Sequence, residues 1–191
     1  MAGCRALTTD EVNEIAGSFY GRHAIRNRAM FILGINTGFR ISELLSIRIA
    51  DVWDGQDVKK FVRVNKSHMK GKRNGREIPL NDKARNAVRE WITQAGDVAP
   101  DTPLFFSQVN PKQPFNRQRA HAILKEVFND CHLDGTLATH TMRKTFAESV
   151  RKASGNDIFT VSRMLGHTDI ATTQKYLDVT TEQQWQIINA L

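Results

Sequence analysis

The chain contains 191 residues, 40% of them hydrophobic, which is enough to bury a substantial core within one domain. Its 27 Lys and Arg residues against 20 Asp and Glu give a net charge of +7, which suggests a polyanionic partner. Cys4 and Cys131 are far apart and unpatterned, which argues against a disulfide framework or a cysteine zinc site. We expect a cytoplasmic protein without a membrane partner, because no apolar run could cross a bilayer and no secretory pattern follows the first residue.

Helices are predicted in quick succession at the start of the chain. Thr8 and Glu11 form a capping-box pattern that begins the first helix. Apolar residues at helical spacing predict a second helix over residues 24–36, which Gly38 separates from the next. A third helix follows directly, with Ile41 on its inner face. Because the first helix begins so early, we expect little room for a domain in front of it.

Arg40 stands at the glycine-preceded entrance to the third helix. A side chain at this position can point into a cleft, and the backbone N–H groups of a helix start favour an anion. The alternative is a structural pair with Glu43, three residues away on the helix surface. The local sequence leaves both interpretations open.

A basic β-hairpin is predicted between residues 60 and 80, where the apolar period changes from helical to alternating. Two strands, near residues 61–64 and 76–80, are joined by a turn at 71–75 that is rich in glycine. The hairpin has eight basic residues before its first acidic one, namely Lys59, Lys60, Arg63, Lys66, Lys70, Lys72, Arg73 and Arg76. Such a surface suits DNA phosphates, with Lys66, Lys72 and Arg73 as candidates, whereas a solvated edge that prevents strand aggregation is the alternative.

Helical patterns continue to the end of the chain. We predict helices that begin near residues 82, 116, 140, 158, 169 and 181. The helix opened by Asn116 carries Arg117 and Arg119, which are candidates for phosphate contacts or members of a plain solvated face. The predicted fold class is therefore mainly α with a small antiparallel β-sheet (α+β).

His140 and Arg143 lie three residues apart, on one face of a helix start where the helix dipole also favours negative charge. The neighbouring Cys131 and His132 raise the alternative of a metal site for His140. Their spacing, however, matches no ordinary zinc pattern, and no metal is expected.

Near the C-terminus, an exposed histidine precedes a tyrosine on a short helix. His167 follows a glycine stop at Gly166, and Tyr176 comes nine residues later. A packing role with a satisfied hydroxyl is the alternative for Tyr176. Together with the arginines, His140 and a lysine, these residues suit phosphoryl transfer without a cofactor. Arginine forks match nonbridging oxygens, histidines move protons near neutral pH, and a tyrosine hydroxyl can become a covalent nucleophile.

Three groups of residues resemble the boxes of the tyrosine recombinase (phage integrase) family. Thr37-Gly-Phe-Arg40-Ile-Ser-Glu-Leu-Leu45 resembles the first arginine box, His140-Thr-Met-Arg143 the His-x-x-Arg box, and Leu165-Gly-His167 with Tyr176 the final box. The resemblance covers essentially the whole chain. It implies the tyrosine recombinase catalytic-domain fold over residues 1–191, with the N-terminal core-binding domain absent. We expect either an excised fragment of an integrase or a naturally short recombinase.

By this resemblance the protein is a site-specific recombinase or integrase that needs neither metal nor ATP. Tyr176 would attack a DNA phosphodiester and form a 3′-phosphotyrosine, while Arg40 and Arg143 hold the nonbridging oxygens. His140 would assist proton transfer at the nucleophile and His167 would hydrogen-bond the phosphate. A hairpin lysine, Lys70 with Lys66 and Lys72 as rivals, would protonate the leaving oxygen. Lys144 stands where many members have a second histidine.

The resemblance also implies the partners of the protein. They are double-stranded DNA target sites, further copies of the chain in a synaptic tetramer, and accessory DNA-bending proteins, in a nucleoid-associated enzyme encoded by a bacterium or phage. The last helix, at about 181–190 with Trp185 on one side, is expected to dock onto a neighbouring copy. A type IB topoisomerase and a catalytically silent DNA-binding module are the alternatives.

Overall fold

The computed structural model describes residues 3–64, 76–107 and 113–167, together with Thr173, Trp185, Ile188 and Asn189. The chain divides into two compact units, Met1–Phe146 and Ala147–Leu191. Within the described ranges, every helix is too short or too polar to cross a membrane. The elements in chain order are α1 (Thr9–Ser18), α2 (Ala24–Thr37), α3 (Ile41–Leu44), α4 (Ile49–Val52), β1 (Phe61–Val64), β2 (Arg76–Pro79), α5 (Asp82–Ala95), α6 (Arg117–Asp130), α7 (Thr139–Ala153) and α8 (Ile158–Leu165).

Helix boundaries follow the capping signals of the sequence. The side chain of Thr8 accepts from the backbone of Glu11 at 3.2 Å, and the Glu11 carboxylate accepts from the backbone of Thr8 at 2.7 Å. Asn81 and Asn116 cap α5 and α6 in the same manner, each accepting from a backbone N–H three residues later. Helix α2 ends at Gly38, whose φ of +59° is the left-handed conformation that glycine adopts readily. These boundaries confirm the corresponding predictions, whereas the single turn of α4 was not predicted. The helices predicted to begin near residues 169 and 181 lie outside the described ranges.

Two glycines, Gly34 on α2 and Gly38 directly after it, allow α7 to pack closely against this helix. A Cβ placed on Gly34 would come within 2.6 Å of Met142 Sδ, and one placed on Gly38 within 2.3 Å of Phe146 Cδ1. Such distances are far inside van der Waals contact, so larger residues would push the helices apart. The end of α2, just before Arg40, is therefore held against the helix that carries Arg143.

The predicted hairpin is present as a two-stranded antiparallel sheet. Val62 pairs with Ile78 and Val64 with Arg76. Burial alternates along both strands, so that Arg76 shares the inward face with Ile78, while Phe61 is 51% exposed. Arg76, one of the eight basic residues of the hairpin, therefore points into the protein.

The core of the first unit is built around α2, which packs against α5, α1 and α3. It is closed by Trp91 on α5, whose indole Nε1 donates a hydrogen bond of 2.7 Å to the carbonyl of Leu104. The predicted fold class, mainly α with a small antiparallel sheet, is confirmed.

Candidate functional site

Arg40 is fixed by a buried carboxylate. Both its backbone N–H and its Nη1 donate to the carboxylate of Glu43, each at 2.9 Å. The Glu43 side chain is 2% exposed, whereas that of Arg40 is 43% exposed. The Arg40–Glu43 pair considered from the sequence therefore exists, but its carboxylate lies in the interior and not on a helix surface. Glu43 fixes Arg40 from the protein interior and leaves part of the Arg40 side chain exposed to solvent.

Arg143 reaches the same stretch of chain from α7. It is 1% exposed, and its Nη1 donates to the carbonyl of Gly38 at 2.5 Å. That carbonyl belongs to the residue that ends α2, where helix carbonyls lack intrahelical partners and the dipole is negative. The buried guanidinium of Arg143 thus donates a hydrogen bond to a carbonyl at the end of α2, two residues before Arg40.

Arg76 is a third guanidinium at this place. It is 8% exposed, its Nη2 donates to the carbonyl of Thr37 at 2.5 Å, and its Nη1 lies 3.9 Å from Glu43 Oε2. Its Cζ lies 4.8 Å from the ring centroid of Phe39, within cation–π range. The pKa of Arg76 is lowered to about 9, mainly by burial and then by the charge of Arg143, with Glu43 opposing and Arg40 adding to the shift.

His140 stands at the start of α7 beside these cations. Its pKa is lowered, first because the protein partly removes water from the ring and then because Arg143, Lys144 and Arg40 add positive charge. The residue nevertheless remains solvent-exposed. A neutral imidazole is thus favoured near physiological pH, which suits a group that accepts a proton.

Four cationic or basic side chains from three separate segments therefore meet in the first unit. The predicted residues Arg40, His140 and Arg143 are brought together, and Arg76 joins them. The arrangement concentrates positive charge around one exposed guanidinium fork, which can bind an oxyanion such as a phosphate bidentately. Within the ranges that the structure describes, no group of three His, Cys, Asp or Glu side chains is placed to hold a metal ion.

His167 belongs to the second unit. It follows Gly166, which ends α8 with a φ of +64°, and its Nδ1 lies 2.8 Å from the hydroxyl of Thr173. This hydrogen bond orients the imidazole, and Thr173 itself is fully buried. Tyr176 and the hairpin residues Lys66, Lys70, Lys72 and Arg73 lie outside the described residues.

The predicted phosphate contacts on α6 are accessible. Arg117 and Arg119 are both exposed in the first turn of a helix of 14 residues. The charge of Arg119 also acts on the buried Arg26, whose pKa is lowered to about 10, first by burial and then by that charge.

Sequence reasoning missed the inward role of Arg76 and the burial of Glu43. Strand parity was the available signal for Arg76, since residues 76, 78 and 80 share one face and two of them are Ile78 and Leu80. For Glu43, the signal was its position between Ile41 and Leu44 on a helix of one turn.

Comparisons with known proteins agree on one family. Residues 5–183 match the sequence model of the phage integrase family. The tyrosine recombinase XerD of Halalkalibacterium halodurans is 34% identical over 181 residues, a match that covers 92% of this chain and 58% of the relative. The tyrosine recombinase of Thermosipho africanus is 29% identical, with 97% of this chain and 61% of the relative covered. The chain thus spans about three-fifths of the length of these relatives.

Solved structures share the fold at lower sequence identity. The XerA recombinase superposes with a TM-score of 0.77 at 21% identity, covering 99% of this chain and 66% of that one. The XerH site-specific recombinase bound to its difH substrate superposes with a TM-score of 0.72 at 20% identity, covering 96% and 53%. With the fold and the arginine boxes in agreement with the family match, the chain belongs to the phage integrase family of tyrosine recombinases.

Proposed function

We propose that the protein is a site-specific DNA recombinase that cleaves and rejoins strands through a covalent 3′-phosphotyrosine intermediate. The observation that carries the proposal is the meeting of Arg40 and Arg143 around the end of α2, with Arg143 bound to Gly38 and Arg40 bound to Glu43. Fixed cations at one point suit a reaction in which negative charge develops on phosphate oxygens.

The arginines divide the work on the phosphate. Arg40 is 43% exposed and its guanidinium can form a fork with the nonbridging oxygens. Arg143 is nearly fully buried, so its charge acts on the same oxygens from a water-poor environment where electrostatic interactions are stronger. A single positioned donor of this kind typically contributes about 2.7 to 4 kcal/mol to transition-state stabilisation.

Strand cleavage occurs by attack of the tyrosine on the phosphate. The hydroxyl of Tyr176 attacks the scissile phosphorus, a Tyr–O–P bond forms, and the bond from phosphorus to the 5′-oxygen breaks. His140 takes part in removing the phenolic proton, and its lowered pKa keeps the imidazole neutral for that role. A lysine, Lys70 in our assignment, gives a proton to the leaving 5′-oxygen. The phosphotyrosine retains the bond energy, so a 5′-hydroxyl from a partner strand can reverse the step without ATP.

Duplex DNA is the proposed substrate and partner. The net charge of +7, the basic hairpin and the exposed pair Arg117 and Arg119 on α6 support it. Several of the similar structures are named as complexes with DNA, among them the XerH recombinase with difH and the Tn1549 integrase with a circular intermediate. Recombination between two duplexes further requires several copies of the chain, and we propose a synaptic tetramer with accessory DNA-bending proteins at the site.

A nicked suicide substrate tests the proposal. Cleavage next to the nick releases a short fragment that carries the 5′-hydroxyl, so the strand cannot be rejoined. The protein is then expected to remain covalently attached to the DNA as a denaturation-resistant adduct, also in the presence of EDTA. Tyr176→Phe should abolish the adduct while salt-sensitive DNA binding survives. An adduct in that variant would exclude Tyr176 as the nucleophile. Relaxation of a supercoiled plasmid without strand exchange would instead indicate a topoisomerase.

The assignment of the general acid has its own test. A 5′-bridging phosphorothiolate provides a sulfur leaving group that departs without protonation. This substrate is expected to restore cleavage by Lys70→Ala to the wild-type rate. If the phosphorothiolate restores cleavage by Lys66→Ala or Lys72→Ala but not by Lys70→Ala, the restored lysine and not Lys70 is the general acid.

A further inference from the structure

Arg76 contacts the Arg40 segment on both sides of Arg40. Its guanidinium donates to the carbonyl of Thr37 and stacks over the ring of Phe39, both of which precede Arg40 in the chain. It also lies 3.9 Å from the carboxylate of Glu43, which follows Arg40. Arg76 itself is the first residue of β2, opposite Val64. One side chain of the sheet thus spans the segment that presents Arg40.

The contact with Glu43 has an electrostatic consequence. The carboxylate of Glu43 is 2% exposed and is shared by two guanidiniums, with Arg40 at 2.9 Å and Arg76 at 3.9 Å. A buried carboxylate paired with Arg40 alone would cancel most of the charge that Arg40 offers to a ligand. Because Arg76 supplies a second positive charge to the same carboxylate, the group of Arg40, Glu43 and Arg76 keeps a net positive charge.

The position of Arg76 separates this role from direct contact with a ligand. Arg76 is 8% exposed, whereas the side chain of Arg40 is 43% exposed. Arg40 and Arg76 both face the carboxylate of Glu43. Arg76 and Arg143 donate to the successive carbonyls of Thr37 and Gly38, so the three guanidiniums lie near one another. A ligand oxygen can therefore reach Arg40, while Arg76 lies behind it.

Resting on the recombinase function proposed above, we propose that Arg76 is a positioning residue that holds the Arg40 segment and shares the charge of Glu43, so that Arg40 meets the scissile phosphate with its charge largely uncompensated. Arg76 acts through Arg40 and does not touch the substrate. Its loss weakens the stabilisation of the nonbridging oxygens more than it weakens DNA binding, because many other cations bind the duplex backbone.

The chain offers a closely matched control in Arg85. Arg85 is also a partly buried guanidinium that bridges a carbonyl and a carboxylate, donating to Val58 at 3.0 Å and to Asp57 at 2.9 Å. Its contacts lie away from the Arg40 segment, so Arg85→Gln reports the effect of losing such a bridge on folding alone. Thermal unfolding of Arg76→Gln and Arg85→Gln places both on one stability scale, and cleavage is then measured well below both transitions.

The test measures single-turnover cleavage of the nicked substrate at saturating protein. Arg76→Gln is expected to cleave about 10 to 100 times more slowly than wild type, with DNA affinity changed less than about threefold in the Tyr176→Phe background. Arg85→Gln should cleave at the wild-type rate. A methylphosphonate at the scissile position lacks one charged nonbridging oxygen, so it is neutral before attack and carries less negative charge than a phosphate in the transition state. Arg40 then has less charge to stabilise, and the defect of Arg76→Gln should shrink to within about threefold on this substrate.

A double-mutant cycle separates action through Arg40 from an independent effect. If Arg76 acts through Arg40, adding Arg76→Gln to Arg40→Ala costs little further rate on the normal phosphate. Arg76→Lys keeps a positive charge beside Glu43 and should retain at least about a third of the wild-type rate. If Arg76→Gln does not fold, Arg76→Lys replaces it in all measurements. The smaller loss of cleavage rate in Arg76→Lys must then disappear on the methylphosphonate substrate.

Several outcomes would overturn the proposal. They are an equal defect on phosphate and methylphosphonate, additive effects of the Arg40 and Arg76 substitutions, a lysine variant no faster than the glutamine variant, and a loss of rate no greater than that of Arg85→Gln. Absence of any adduct with the wild-type chain would instead contradict the proposed function, so the two failures are distinguishable.

Discussion

Glu43 accepts two hydrogen bonds from Arg40, one from its backbone N–H and one from Nη1, each at 2.9 Å. A single buried carboxylate thereby sets both the start of α3 and the direction of the exposed guanidinium. The same carboxylate faces Arg76 at 3.9 Å. The orientation of Arg40 is therefore a property of the protein interior, even though Arg40 itself reaches solvent.

Replacing Glu43 should loosen Arg40 and destabilise the fold. We expect Glu43→Gln to lower the free energy of unfolding by about 2 to 4 kcal/mol, because two guanidiniums lose their shared buried counterion. Urea unfolding measures the change, and cleavage of the nicked substrate should fall at least about tenfold at temperatures where the variant is folded. Glu77→Gln, at an exposed position of β2, is the control. Equal stability of the two variants would contradict the structural role of Glu43.

The close approach of α2 and α7 depends on glycine. We expect Gly38→Ala to cost about 2 to 4 kcal/mol of stability, because the added Cβ would come within 2.3 Å of the Phe146 ring. Gly34→Ala should cost less, about 1 to 2 kcal/mol, because its Cβ meets the flexible end of the Met142 side chain. Gly38→Ala is expected to cost more, since φ is also +59°. Gly17→Ala lies on α1 with nothing within 4 Å and should gain about 0.5 to 1 kcal/mol. Thermal unfolding compares all three variants, and an unchanged Gly38→Ala protein would mean that the helices do not approach this closely.

The lowered pKa of His140 predicts how the cleavage rate falls on the acidic side of its pH profile. Only the neutral imidazole can accept a proton, so the rate falls as pH drops through the pKa of His140, which lies below the usual 6.5. Lys144→Gln removes a neighbouring positive charge, which raises this pKa and moves the limb toward higher pH. Single-turnover rates between pH 5 and 8, with the NMR titration of the His140 ring, measure both. A limb that Lys144→Gln shifts downward would refute the electrostatic explanation.

An ion pair at the N-terminal segment should make stability pH-dependent. Hydrogen bonds from Arg5, at 2.6 and 2.8 Å, are the main cause that lowers the pKa of Glu11 to about 2 from an ordinary 4.5. Because the folded pKa is depressed, the stabilisation is fully present above about pH 4.5 and is lost as pH falls toward 2. Glu11→Gln should lower stability by about 1 to 2 kcal/mol at pH 7 and by progressively less below pH 4.5.

The control for this pair is Glu14→Gln, at an exposed position of the same helix. Denaturant unfolding between pH 3 and 7 measures the difference between each variant and wild type. A Glu11→Gln effect that does not diminish toward acidic pH would show that the capping contact with Thr8, and not the Arg5 pair, carries the stability.

The exposed arginines of α6 should contribute to DNA affinity through phosphates. We expect Arg117→Gln and Arg119→Gln each to reduce the slope of log affinity against log salt by about 1, with similar losses on different duplex sequences. The measurement uses Tyr176→Phe to prevent cleavage. Arg151→Gln, whose guanidinium is paired with Glu148 at 2.6 Å, is the control for charge alone. If neither α6 substitution changes the slope of log affinity against log salt, these arginines belong to a solvated face and do not contact phosphates.

Most helix boundaries, the hairpin, the fold class and the order of the arginine boxes could be predicted from the amino-acid sequence alone. Those features depend on interactions within a few residues, such as the bond between Thr8 and Glu11 or the glycine that ends α2 at Gly38. The tertiary structure alone decided that Glu43 is buried and that Arg76 turns inward to share it with Arg40.

The physical reason is the distance along the chain over which these contacts form. Arg76 reaches Thr37 across 39 residues, and Arg143 reaches Gly38 across 105. A local pattern can mark an arginine as a candidate, but only packing shows whether its charge meets solvent, a helix terminus or a buried carboxylate. The close fit of Gly34 and Gly38 against α7 sets that packing, and with it the meeting of Arg40 and Arg143.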